Sequence, residues 1–133
     1  MIPWKKEYCL GIESIDTQHK QLIDIINVLS QRIASGIAKH DVEIAIVDME
    51  RYVQTHFLFE EKFFTACRYE KTSEHIAEHH LFLEKTQEFR TRALTGDISL
   101  SLEMLGYLED WFLHHVLVID RQYVDDFKKF GVQ

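Results

Sequence analysis

A chain of 133 residues with 46% hydrophobic side chains carries enough apolar material for one core, so residues 1–133 are read as a single domain. A formal charge of −7, with fifteen scattered Lys and Arg, excludes a nucleic-acid footprint, and no apolar stretch is long enough to span a bilayer. Two cysteines, Cys9 and Cys67, fit neither a disulfide framework nor a zinc spacing, which leaves eight histidines as the unusual feature of the composition.

The opening stretch, MIPWKKEYCLGIESID, has two lysines but no apolar run and no small-residue cleavage site. An unexported, soluble protein of the reducing cytoplasm is therefore expected, beginning with an extended arm. Pro3 is the only proline and glycines are few, so helix is favoured throughout. Breaks at Gly36 to Asp41, Arg68 to Ser73 and Thr95 to Asp97 divide the chain into four helical segments, about 16–36, 41–66, 72–94 and 98–117. Each is on the order of 30 Å long. A short final stretch, Arg121 to Phe130, follows. The expected fold is all-α: an antiparallel, up-down-up-down four-helix bundle with an N-terminal arm and a short C-terminal helix.

Hydrophobic spacing of three and four places the core seams and puts ionisable groups inside them. In the first segment the seam is His19, Leu22, Ile26, Leu29 and Ile33. The second reads Val42, Ile46, Met49, Val53, His56, Glu60 and Phe63. In the third it is His75, His79, Phe82, Thr86, Phe89 and Ala93, and in the fourth Met104, Leu108, Trp111, His115 and Val118. One histidine in a core stripe has an ordinary explanation as a neutral, hydrogen-bonded side chain. Five of them with a glutamate, in one small domain, each need a partner, and a shared metal supplies it for all.

The seams also agree in height. Short loops make consecutive helices antiparallel neighbours, so residues equidistant from a loop lie level. His19 is nineteen positions before Ala38 and His56 eighteen after it. Around Arg68, Glu60 is eight before and His75 seven after, while His56 is twelve before and His79 eleven after. Around Gly96, His79 is seventeen before and His115 nineteen after. All six polar residues should therefore meet at one end of the bundle. His56 and Glu60, like His75 and His79, are four apart and project from one face. His40 falls in a loop, and His80 and His114 sit one position off the seam, so these three are left outside the site.

The pieces W4…Y8..GI..ID..H19, H56F..E60E61, H75...H79..F82 and W111...H115....D120..Y123, in this order and at these separations, resemble the bacterial haemerythrins over nearly the whole chain. That resemblance implies a di-iron centre: His75, His79 and His115 on one iron, His19 and His56 on the other, Glu60 and Asp120 bridging. It also implies an oxo or hydroxo bridge, with dioxygen as ligand and partner. Asp120 comes from the resemblance alone. Five residues after His115 is about 140° round an ideal helix, so the fourth helix should loosen or end between them. Without the resemblance, Asp120 reads as an exposed cap for the final stretch. The family's apolar residue over the oxygen site corresponds to Leu113, for which ordinary bundle packing is the other reading. Phe64 and Glu70 stand where the family often has methionine and proline, which concerns packing rather than ligands.

Imidazole with carboxylate suits iron, copper, manganese or zinc, but seven side chains are too many for one tetrahedral zinc. Two six-coordinate metals with both carboxylates and one oxygen bridging would leave a single open position, on the side with two histidines. Ferritin-like oxidases use more carboxylates and Glu-x-x-His pairs, a pattern not evident here. Reversible oxygen binding for storage, delivery or sensing is thus the leading expectation. A di-iron oxidase, peroxidase or nitric-oxide scavenger at the same site is the second, and a helical bundle with an incidental metal the third.

Overall fold

The structure, a computed structural model, describes residues 2–97 and 99–133. The expected start of the fourth segment, at residue 98, lies outside the described residues. A single 3-10 turn, Lys6–Tyr8, precedes helix α1, Glu13–Ser35. The second bundle helix is one continuous run of three pieces: α2, Lys39–Tyr52, a π-helical turn, Val53–Phe57, and α3, Leu58–Cys67. The third is α4, Thr72–Ala93. The fourth comprises α5, Leu100–Trp111, a π-helical stretch, Phe112–Ile119, and a 3-10 turn, Asp120–Tyr123, and α6, Val124–Phe130, follows it. Contacts run from α1 to α2, α2 to α4, α4 to α5 and α5 back to α1, the closed square of an antiparallel four-helix bundle.

The ends of these helices follow from local chemistry. Asp16 in the first turn of α1 accepts hydrogen bonds from the Leu10 and Gly11 amides at 2.8 and 3.3 Å, folding the incoming chain onto the helix. Gly36, at φ 97°, ends α1 in a conformation that a side chain would resist. Asp41 accepts from the Ala38 amide at 3.0 Å where α2 begins. Arg68 takes the left-handed conformation at φ 55°, and the Tyr69 amide returns to the Phe64 carbonyl at 3.1 Å, turning the chain toward α4. The N-terminal arm is held along α1 because the Asn27 amide group accepts from Ile2 N and donates to Ile2 O.

Two apolar clusters fill the bundle. The larger includes Leu22, Ile26, Met49, Tyr52, Phe57, Phe82, Leu108, Trp111 and Phe112. The smaller includes Leu10, Ile12, Ile15, Phe64, Tyr69, Tyr123 and Phe127. Phe64 packs on Tyr69, Tyr123 and Phe127 with ring centroids 5.1 to 5.6 Å apart, so the bulkier side chain is accommodated where α6 folds under the bundle. The polar seam residues lie along the chain between these clusters, with apolar layers on both sides. The site is therefore sealed by a second small core at the end of the bundle where the polar residues gather.

The seams hold for α1 and α4 and shift elsewhere. Tyr52 and Phe64 are buried where Val53 and Phe63 were expected, because His56, Glu60 and Phe64 step by four through and beyond the first π turn. Val118 is 49% exposed, whereas Val116 and Asp120 are buried. The wide π turns of the fourth helix carry its inward face from 115 and 116 directly to 120.

Candidate metal centre

Seven side chains converge in the layer between the two clusters: His19 from α1, His56 from the first π turn and Glu60 from α3. His75 and His79 come from α4, His115 from the second π stretch, and Asp120 from the 3-10 turn that follows it. All seven are at most 2% exposed. Asp120 is fully buried and faces the histidines, so it is not the exposed cap that its sequence context also allowed. The loosening of the helix expected between His115 and Asp120 is present as the π stretch, whose i→i+5 bonds bring residues five apart onto one face.

The ligand atoms fall into two groups, each with its members within 4.8 Å of one another: Glu60, His75, His79 and His115 in one, His19, His56 and Asp120 in the other. Both carboxylates reach across. Asp120 Oδ1 lies 3.0 Å from His75 Nε2 and 3.1 Å from His115 Nε2, while Oδ2 lies 3.0 Å from His19 Nε2 and 3.2 Å from His56 Nε2. Glu60 Oε1 is 2.9 Å from His79 Nε2 and 3.3 Å from His56 Nε2, and Oε2 is 3.5 Å from His75 Nε2. Yet His75 Nε2, His115 Nε2, Asp120 Oδ1 and Glu60 Oε2 have no hydrogen-bond partner. Buried polar atoms this close and still unpaired are what ligands aimed at shared cations leave behind, since unpaired burial is otherwise costly. Imidazole nitrogen with carboxylate oxygen is a donor set for first-row transition metals, and the residues fit a pair of them.

The charges inside the layer compensate one another. Burial alone would lower the His75 pKa, but Asp120 and Glu60 outweigh it and raise it to about 10. His56 is raised against the same burial by Glu60 and Asp120. For His19 burial prevails over the hydrogen bond it donates to Asp120, and its pKa falls. Burial and the Asp120 charge oppose ionisation of Glu60, yet His56, His75 and His79 bring it down to about 2. Asp120 is held well below the usual carboxylate range, against burial, by His115, His19 and His56. The two carboxylates thus favour the charged forms of His56 and His75, and imidazoles in turn hold both carboxylates ionised against burial.

Two residues to which sequence reasoning gave no role, Gln18 and Glu61, fix the ring orientations. His56 Nδ1 donates to Gln18 Oε1 at 2.6 Å, and His79 Nδ1 donates to Glu61 Oε2 at 2.8 Å, which leaves each Nε2 lone pair directed inward. Both partners lie one position beside a ligand, off the hydrophobic seam, where periodicity carries no signal. Aromatic rings clamp the same imidazoles: Phe57 stacks on His79 and Trp111 on His115, each pair 3.9 Å between centroids, and Tyr52 stacks on His56 at 5.1 Å. The remaining histidines, His40, His80 and His114, are exposed. Leu113, expected over the oxygen site, is 54% exposed. Its neighbour Phe112 is fully buried, since one residue along the helix turns a side chain from the solvent face to the interior.

An all-helical bundle with a buried histidine and carboxylate cluster between two apolar layers is a metal-binding four-helix protein. The model of the hemerythrin HHE cation binding domain matches residues 10–126, and the chain belongs to the hemerythrin family. It is 32% identical over 129 residues to a bacteriohemerythrin of Clostridium acetobutylicum, covering 94% of this chain and 100% of that protein. A bacteriohemerythrin of Pseudomonas paraeruginosa is 30% identical over 122 residues, covering 92% of this chain and 78% of its own length. One from Stenotrophomonas maltophilia is 29% identical over 130 residues, covering 96% and 82%. Among the described residues no helix is long and apolar enough to cross a membrane.

Proposed function

We propose that the chain binds dioxygen reversibly at a di-iron centre, for oxygen storage, delivery or sensing. His75, His79 and His115 hold one iron and His19 and His56 the other. Glu60 and Asp120, whose oxygens face both groups of imidazoles, would be shared between the two irons, together with an oxo or hydroxo group. The observation that carries this reading is the unequal division of imidazoles, three against two, around carboxylates that face both groups. The irons, when bound, supply a ferrous pair able to give two electrons to dioxygen and recover them on its release.

The chain's own residues favour binding over turnover. Gln18 and Glu61 orient their imidazoles, and the two apolar clusters exclude water from the layer. Burial pushes the Tyr52 and Tyr123 phenols well above their ordinary range, and Glu60 and Asp120 add to the effect, so both hydroxyls keep their protons at neutral pH. No acid or base poised near neutrality therefore follows from these phenols.

Gas exchange on the reduced, iron-loaded protein tests the reading. Oxygen taken up should be recovered under vacuum, with the visible spectrum of the reduced protein restored. Oxygen consumed without recovery would instead establish an oxidase-type enzyme at the same centre.

A further inference from the structure

The three-histidine group lies beneath an acidic cleft. Between α4 and the fourth bundle helix two depressions open to solvent, of about 560 and 280 Å³. Glu78, Glu84 and Asp110 line the larger one with His114, above Trp111 and His115. Glu74 and Glu78 line the smaller, which reaches His75. Glu78 borders both, is half-buried, and forms no ion pair among the described residues. Of the cations on these walls, Lys85 is paired, 3.3 Å from Glu88 and 3.8 Å from Glu103, while Lys71, which donates to Gln122 at 3.4 Å, keeps its charge beside Glu74 and Glu78 in the smaller depression.

His115 and His75, respectively 1% and 2% exposed, form the inner limits of the two depressions. Neither ring nitrogen of His115 has a hydrogen-bond partner, and neither has His75 Nε2. Carboxylates at the mouth thus lead to two imidazoles at the floor, whose Nε2 atoms lie 3.0 and 3.1 Å from Asp120 Oδ1 on the inner side. Two further depressions, one lined by Glu13 and Gln18 and another by Asp24, Asp48, Arg51 and Tyr52, have no histidine of the layer in their lining.

We infer that this cleft is the loading route by which divalent cations reach the three-histidine group, with Glu78 as the carboxylate that passes the ion from the mouth to His75 and His115. The inference rests on the di-iron reading above. A hydrated divalent ion is drawn by the converging negative field and exchanges water for carboxylate oxygen before meeting imidazole, so it is never stripped without replacement.

Stopped-flow loading of the chelator-treated full chain with Co²⁺ tests the route without iron redox chemistry, because cobalt absorption reports binding directly. At low ionic strength Glu78→Gln should slow loading about tenfold. Its salt dependence should flatten, while the final cobalt content and far-UV circular dichroism stay those of the wild type. Glu43→Gln, at an exposed position of α2, reduces the net negative charge equally and should load at the wild-type rate. Wild-type kinetics in Glu78→Gln, or equal slowing in Glu43→Gln, would overturn the route while leaving the metal centre standing. Failure of the wild-type chain to take up two cobalt ions would overturn the di-iron reading and the route with it.

Discussion

His115 Nε2 and Asp120 Oδ1 lie 3.1 Å apart within one continuous helical run, although they are five positions apart in sequence. In an ideal α-helix these side chains would diverge, and the π stretch from Phe112 to Ile119 removes the divergence by closing i→i+5 turns. The same bend presents the second oxygen of Asp120 to His19 and His56. One local departure from α-helical geometry therefore lets one carboxylate serve both groups.

Asp120→Asn keeps the shape of this side chain and removes its charge. The raised His56 and His75 imidazoles lose half of their counter-charge in a buried layer. Metal-free protein should be destabilised by about 3 kcal/mol, and bound metal should fall below two per chain. Denaturant unfolding and metal analysis read the two effects, and an unchanged midpoint with full metal content would refute the role given to Asp120. Glu60→Ala should likewise release iron.

Gln18→Ala and Glu61→Ala each free an imidazole Nδ1 and with it the orientation of the ring. Metal affinity should weaken about 10–100-fold in each variant. Competition with a chelator measures it, and His40→Ala, on an exposed residue, provides the unchanged comparison. Wild-type affinity in both variants would mean that ring stacking alone positions the ligands.

The metal-free protein should be less stable toward both pH extremes. His75, raised from 6.5 to about 10, contributes stability that is complete below about pH 6.5 and lost as pH rises through 10. Glu60, lowered from 4.5 to about 2, contributes stability that is complete above about pH 4.5 and lost as pH falls through 2. His56 acts in the direction of His75, and Asp120 in that of Glu60. His19, whose pKa is lowered, opposes His75 just below pH 6.5. Urea midpoints on chelator-treated protein should therefore decline above neutrality. Because metal must displace the His75 proton, loading at pH 7 should acidify a weakly buffered solution, and no proton release would contradict the pairing.

Phe112→Ala should cost about 3–5 kcal/mol of stability and admit water beside the site, shortening the lifetime of the oxygenated protein. Leu113→Ala should change stability by less than about 0.5 kcal/mol and leave that lifetime unaltered. Thermal unfolding and the decay of the oxygenated spectrum compare the two. Equal behaviour would show that the buried and exposed neighbours have been assigned the wrong roles.

The sequence by itself determined the four helices and six of the seven converging side chains. Periodicity of three and four marks a buried stripe, and loop-centred counting sets the heights at which stripes meet. His19, His56, Glu60, His75, His79 and His115 were legible because a polar side chain on an apolar stripe stands out against a regular period. Tertiary structure decided what breaks that period. Asp120 turns inward only because the fourth helix widens to π geometry, and Leu113 turns outward beside a buried Phe112. Gln18 and Glu61 gain their roles from neighbours 38 and 18 positions away, across helix interfaces that no local spacing encodes.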